Sequence, residues 1–194
     1  ISDVATFYKM QNVSTSAQDF QLSSRTISIK GRSGTGEIYI NGLKYILCFP
    51  IIDNGGQPYI SSMDVTKIIE PVLRPSKIKN PTTVRTIILD AGHGGHDSGA
   101  TGRFGREKDF ALDVALRAKT LLQNKGFEVK MTRSRDVFVP LEERAQFANR
   151  HQDAVFVSIH FNQGHNKAAS GIETFFLAPR GVPSAGATTV RRSD

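Results

Sequence analysis

Apolar positions change their spacing several times along the chain, and each change predicts a new element. From Arg25 onward they fall in short β-rich runs, TISIK and then EIYINGLKYILCF, and Asn41-Gly42 between two such runs predicts a tight hairpin. Asp53-Asn54-Gly55-Gly56 predicts another turn. Ser61 or Ser62 is placed to cap a short helix through Met63, Val65, Ile68 and Ile69, with Pro71 as its end. Residues 25–74 therefore read as a small β-rich accessory module, marginal by itself because so short a chain covers little of its own surface. The residues before it, 1–24, are polar, rich in Ser, Thr and Gln, and without clear period. They are expected to form a loose polar leader, or a strand borrowed by a neighbour.

The stretch from Arg74 to Thr83 (RPSKIKNPTT) holds two prolines among polar residues, which suits an extended linker over 75–84. A second domain, 85–194, follows. Thr86 to Asp90 is a short apolar run bounded by a Gly-rich loop, as a strand covered on both faces should be. Ala111, Val114, Ala115, Ala118, Leu121 and Leu122 keep helical spacing, with Gly126 as the stop. Phe127 to Thr132 reads as a strand, and Pro140 opens a helix ending near Arg150. Ala154 to His160 and Ile172 to Leu177 read as two more strands. Strands alternating with helices predict the α/β class, a twisted, mostly parallel sheet flanked by helices, preceded by the small β-rich module.

Charge narrows the classes of partner. Lys and Arg number 25 against 18 Asp and Glu, a net charge of +7, which favours an anionic partner such as nucleic acid, lipid headgroups or an acidic wall polymer. Nucleic acid ranks low, because the aromatic residues (8%, no Trp) are not interleaved with the basic ones as stacking platforms require. The longest apolar stretch, Ile46 to Ile52 interrupted by Pro50, is far short of the ~18 residues of a membrane span, so no transmembrane segment is expected. Cys48 is the single cysteine and can form neither an intrachain disulfide nor a Cys-rich zinc cage.

Candidate chemistry gathers in the loop DAGHGGHDSGA, residues 90–100, at the carboxyl end of the first strand of the second domain, where open α/β sheets place their ligands. A dinucleotide fingerprint is excluded by spacing, since starting from Gly92 and Gly94 its third glycine falls on Asp97. The glycines read instead as keeping bulk away from His93 so that an ion and a large substrate can approach. Glu107 opens the long helix and His160 ends the apolar strand AVFVSIH, so three units could each aim one side chain at the same rim. Two imidazoles and a carboxylate are the protein ligands of one kind of catalytic zinc site, whose ion lowers the pKa of bound water from 15.7 to about 7 and polarises a carbonyl. Each residue also has a plainer reading. His93 could be a turn residue, Glu107 could be placed by the helix dipole, and His160 could be a hydrogen-bonded core histidine.

With those residues in view, the segment from Thr86 to about Leu177 resembles the zinc-dependent N-acetylmuramoyl-L-alanine amidases of bacterial cell walls, the amidase 3 type. The matching pieces are TIILDAGHGGHDSGA, then REKDFALDVALRAKTLLQNKGFEVKMTRSRDVFVPLEERAQFANRHQDAVFVSIHFN, then GIETFFL, in the family's order. The resemblance implies Zn2+ held by His93, Glu107 and His160, peptidoglycan as substrate, a secreted or periplasmic location, and hydrolysis of the bond between the lactyl group of N-acetylmuramic acid and L-alanine of the stem peptide. Arg133, Arg144 and Asn162 fall on motif positions too. Arg144 and Asn162 are candidates for substrate binding, although Arg144, on a helix, suits a salt-bridging structural role better. His96, nearer in sequence to His93 than His165 is, is expected outside the first coordination shell, and His165 is left open.

The family also carries a glutamate near its C-terminal end that acts as general base, and no matching segment stands among these 194 residues. Glu173 in GIETFF falls on a different family segment and reads as a strand-face glutamate. The catalytic base is thus expected beyond Asp194, and the chain reads as an incomplete amidase domain. The alternative is a catalytically impaired cell-wall-binding module. The first module loosely resembles the N-terminal domain of copper amine oxidases, but residues 25–74 hold no His and only Cys48, so a spacer or wall-targeting role is expected of it.

Overall fold

The computed structural model describes residues 1–16, 18–162 and 170–177. The chain divides into two compact units, Ile1–Lys79 together with Glu173–Asp194, and Asn80–Ile172. The division falls inside the expected linker.

The first unit opens with helix α1 (Ser2–Phe7), followed by strands β1 (Gln11–Thr15), β2 (Asp19–Ser23), β3 (Ser28–Arg32), β4 (Glu37–Ile40) and β5 (Leu43–Ile46). These five strands form one antiparallel sheet in sequence order. Asn41 and Gly42 both take positive φ, 51° and 82°, and Ile40 pairs with Leu43 across them, so the Asn-Gly signal is met by a two-residue turn of matching twist. A second hairpin joins β6 (Ile52–Asn54) to β7 (Gln57–Tyr59).

Residues 1–24 are not a leader. Ala5 and Met10, on and after α1, and Phe20 and Leu22, on β2, are buried in the same core as Ile29, Ile38 and Ile40. Alternate positions of β2, β3 and β4 supply that core, as the period of a strand requires. Phe20 fits because its partner in the ladder is Gly31, where a Cβ would stand 2.6 Å from the ring.

The helical stretch after β7 starts where Ser61 accepts from Met63 N–H at 3.1 Å. It runs through α2 (Ser62–Asp64), a wider π-helical turn (Val65–Ile69) and α3 (Glu70–Leu73), followed by a 3-10 turn (Pro75–Lys77). Pro71 therefore does not end the helix. Its missing N–H falls in the first turn of α3, just after bonding reverts from the π pattern, where no interior bond is lost. Ile68 and Ile69 face the core of the sheet.

The second unit contains β8 (Thr86–Ala91), a short hairpin of β9 (Thr101–Gly102) and β10 (Gly105–Arg106), α4 (Glu107–Asn124), β11 (Glu128–Met131), α5 (Leu141–Asn149) and β12 (Ala154–Ile159). Both β11 and β12 pair in parallel with β8, in the order β11-β8-β12. Every residue of β8 is buried, as its continuous apolar run predicted. On α4 the buried Ala111 and Ala115, one turn apart, let the helix lie close to the sheet. The fold class is therefore α/β with a parallel sheet and helices. Among the described residues β12 has no neighbour on its outer side, and Val155, Phe156 and Val157 are exposed.

The strand expected at Ile172–Leu177 is not formed. Residues 172–177 are irregular, and Ile172, Phe175, Phe176 and Leu177 lie exposed. An apolar run becomes a strand only where a ladder partner and a covering face meet it. Among the described residues, no helix is long and apolar enough to cross a membrane.

Candidate metal centre

The loop after β8 is set by its own backbone. Gly92 N–H donates to the Ile159 carbonyl at 3.0 Å, which ties the start of the loop to the end of β12. Gly94 and Asp97 exchange backbone hydrogen bonds of 2.9 and 3.1 Å, closing a tight turn. His93 enters that turn with φ 59°, in the left-handed region that few side chains adopt.

Three of the residues singled out in the sequence converge there. Glu107 Oε1, on the first residue of α4, stands 3.1 Å from His93 Nε2 and 3.1 Å from His160 Nδ1, and the three donor atoms all lie within 4.8 Å of one another. The two imidazole rings are 4.9 Å apart and nearly perpendicular. Glu107 is 6% exposed and His160 is 40% exposed on their side chains, so the carboxylate forms the floor of the site and His160 its open side. Burial works against the charge of Glu107. The N–H groups of Ala100 (to Oε2, 2.9 Å) and Phe161 (to Oε1, 2.9 Å), with the His160 ring, outweigh it and hold the carboxyl below the usual glutamate range.

Protein ligands stand about 2.0–2.2 Å from a zinc-sized ion. Donors as close together as these can share such an ion, and two imidazole nitrogens with one carboxylate oxygen are the right chemistry for it. The glycines keep the space: a Cβ at Gly92 would meet the His160 ring at 2.5 Å, and one at Gly99 would meet His93 at 2.6 Å and Glu107 at 2.8 Å. The residues thus fit a divalent metal ion.

Asp97 was not anticipated as part of the site. Its Oδ2 lies 2.9 Å from His93 Nδ1, which leaves Nε2 to face Glu107, the carboxylate–histidine arrangement that fixes ring orientation at metal sites. The His93 ring, followed by the Gly99 N–H, holds the Asp97 carboxyl below its ordinary range. The only sequence signal for it was an acidic residue four positions after a candidate ligand.

Two arginines hold the loop from behind. Arg133 Nε donates to the Ala91 carbonyl at 2.8 Å, and its Nη2 donates to the carbonyls of Gly92 (2.7 Å) and Lys108 (2.9 Å). Arg144 Nη1 donates to Asp90 Oδ1 at 2.7 Å and to the Ala91 carbonyl at 2.8 Å, and its Nη2 reaches the His93 carbonyl at 2.8 Å. Asp90 also accepts from Thr132 Oγ1 (2.6 Å) and Ser158 Oγ (2.7 Å), so one carboxylate is bonded to groups at the ends of β11 and β12. Arg144, offered above as a substrate contact, is buried with its donors engaged by Asp90 and the backbone of the loop. Its salt-bridging structural role is what the structure displays. Lys108 Nζ, also buried, bonds the Gly95 carbonyl and Asp136 Oδ2, each at 2.7 Å.

The other candidates lie apart. His96 packs its ring on Phe138, with centroids 4.2 Å apart, and is not one of the three converging donors. Asn162 is exposed two residues past His160. Glu173 is exposed on the irregular segment rather than on a strand face. His165 and the stretch from Pro179 to Asp194 lie outside the described residues.

The model of the Amidase_3 family, N-acetylmuramoyl-L-alanine amidase, matches residues 87–192. The N-acetylmuramoyl-L-alanine amidase AmiA of Escherichia coli (strain K12) is 41% identical over 110 residues, which cover 56% of this chain and 38% of that protein. The N-acetylmuramoyl-L-alanine amidase LytC of Bacillus subtilis (strain 168) is 37% identical over 142 residues, 73% of this chain and 26% of that protein. Among solved structures, the catalytic domain of CwlV, an N-acetylmuramoyl-L-alanine amidase from Bacillus (Paenibacillus) polymyxa var. colistinus, is 42% identical, with a TM-score of 0.41 over 44% of this chain and 49% of that one. The chain spans well under half the length of these curated relatives. Because the family match takes in more than half of its residues, the chain belongs to the Amidase_3 family.

Proposed function

We propose that this chain carries the metal centre of a zinc-dependent N-acetylmuramoyl-L-alanine amidase, which hydrolyses the amide between the lactyl group of N-acetylmuramic acid and L-alanine in peptidoglycan. The observation that carries the reading is the convergence of His93, Glu107 and His160 within 4.8 Å at the carboxyl end of a parallel sheet. These three residues would hold the zinc. When bound, zinc supplies Lewis acidity, which polarises the scissile carbonyl and makes water a nucleophile at neutral pH.

The rest of the work belongs to the chain. Asp97 holds His93 in the orientation that presents Nε2. The Ala100 and Phe161 N–H groups keep Glu107 ionised despite its burial, so its charge offsets part of the ion's. The half-exposed His160 edge leaves a side open to a large polymer. Peptidoglycan lies outside the cytoplasmic membrane, so the reading includes extracytoplasmic action, and the +7 charge suits an anionic wall polymer. The first unit, which contains no histidine, serves as a spacer or wall-targeting module.

The test is to incubate the full-length protein with zinc and purified sacculi, and to look by mass spectrometry for stem peptides with a new L-alanine amino terminus. We expect such peptides from the wild type, none from His93→Ala, and about one zinc per chain lost in that variant. Equal zinc content in the two, or cleavage at another bond, overturns the reading.

A further inference from the structure

One flank of the candidate metal centre is aromatic. Phe110 stands on α4 one turn after Glu107, and Phe161 directly follows His160. Their rings lie 5.8 Å apart, tilted by 47°. Both are well exposed for phenylalanine, at 39% and 42%, although each sits beside a proposed ligand. Neither is loosely held. The Phe161 backbone is bonded to Glu107 Oε1, and β10 lies against the Phe110 ring, since a Cβ on Gly105 would come within 3.3 Å of it. The loop itself is polar, with Asp97 bonded to His93 and Lys108 bonded to Gly95 and Asp136.

We propose that Phe110 and Phe161 seat the pyranose ring of N-acetylmuramic acid and so set which side of the scissile amide lies toward the helix. This rests on the amidase reading above. The substrate is asymmetric about the bond to be cut, with a sugar on one side and a peptide bearing carboxylates on the other. A pyranose presents a face of C–H bonds, which packs against the electron-rich face of an aromatic ring. Two tilted rings make a shallow seat for such a face. What sets these two rings apart from other exposed apolar side chains is that they lie together beside the candidate ligands, where a bound substrate can cover them.

The test uses the full chain stripped of metal, so that ligand is bound but not turned over, and reads saturation transfer from aromatic protons by NMR. The probes are N-acetylmuramyl-L-alanyl-D-isoglutamine and the same peptide carrying only the lactyl group. Transfer should be strongest to the pyranose protons. In Phe110→Ala/Phe161→Ala the sugar-bearing probe should bind about tenfold more weakly, while the sugar-free probe keeps its affinity. Phe161→Tyr should restore most of the loss, and zinc content should stay at the wild-type level. Equal loss for both probes, no loss for either, or transfer to the peptide methyls instead of the sugar overturns the proposal. Stem-peptide release by the wild type with sugar binding unchanged in the double variant removes the sugar seat alone. Sugar binding that depends on both rings, without stem-peptide release, removes the amidase reading and leaves the seat.

Discussion

In the unit Ile1–Lys79 the interior is hydrocarbon: Phe20, Leu22, Ile29, Ile38, Ile40, Ile51 and Ile69 are closed off from water, and among the described residues Asp64 is the single acidic residue buried with them. Asp64 is there to accept from the backbone N–H groups of Cys48 and Phe49, at 2.6 and 3.2 Å, where the chain leaves the sheet. In the unit Asn80–Ile172 the apolar interior is small, chiefly Ile87, Ile88, Leu89 and three alanines, and beside it are buried Asp90, Glu107, Lys108, Arg133 and Arg144. The first is held by area removed from water, the second in good part by saturated hydrogen bonds around one loop. Burying charge costs free energy that apolar packing does not. That cost is accepted where a loop has to be held to a fraction of an ångström, which is what a ligand set demands.

The largest effect expected from this contrast is in the second unit. Asp90→Ala leaves the Arg144 guanidinium buried without its carboxylate and should destabilise by about 3–5 kcal/mol, read by urea unfolding with amide exchange localising the loss to β8 and its neighbours. Leu22→Ala in the first unit should cost about 2–5 kcal/mol, with exchange rising in β2 to β4 and the ligand loop unchanged. If Asp90→Ala proves the milder of the two, the ionic network is not what holds the second unit.

Asp97→Asn keeps the fold but loosens the His93 ring, and should weaken metal binding tenfold to a hundredfold in a chelator competition. Ser61→Ala, which removes a helix cap of the first unit, should cost about 1 kcal/mol in thermal unfolding and leave metal affinity alone. The gentlest probe is pH. Arg74, and then Tyr8, hold the Glu70 carboxyl below its ordinary range. A group depressed in this way adds stability above its unfolded pKa and loses it as pH falls through the folded one. The melting temperature of the first unit should therefore decline on acidification below about pH 4.5, and Glu70→Gln should flatten that decline.

How much of this could be read in the sequence depended on whether the signal was contiguous. β8, α4 and α5 each lie under one unbroken pattern, and the three candidate ligands stand next to the ends of such patterns. Residues 1–24 did not give themselves away, because their buried positions are shared between one turn of helix, a loop and a strand. No window of a single period contains Ala5, Met10, Phe20 and Leu22 together. Residues 172–177 fail in the opposite sense: the apolar run is there, but the ladder that would make it a strand depends on distant residues. Asp97 and the grip of Arg133 and Arg144 on the loop are long-range or turn-specific geometry, for which one sequence carries no periodic mark.

The left-handed backbone of His93, φ 59°, bears on how such a site can drift over generations. Besides glycine, this region admits histidine, asparagine and aspartate with least strain, and is hostile to branched side chains. Of the residue types that commonly ligate metals, only aspartate could replace His93 while accepting the same turn, and it has no N–H to offer Asp97. Neutral wandering at position 93 is therefore closed from two directions, by the backbone and by the chemistry of the side chain, and under the proposed function a descendant that abandons histidine there abandons the metal with it.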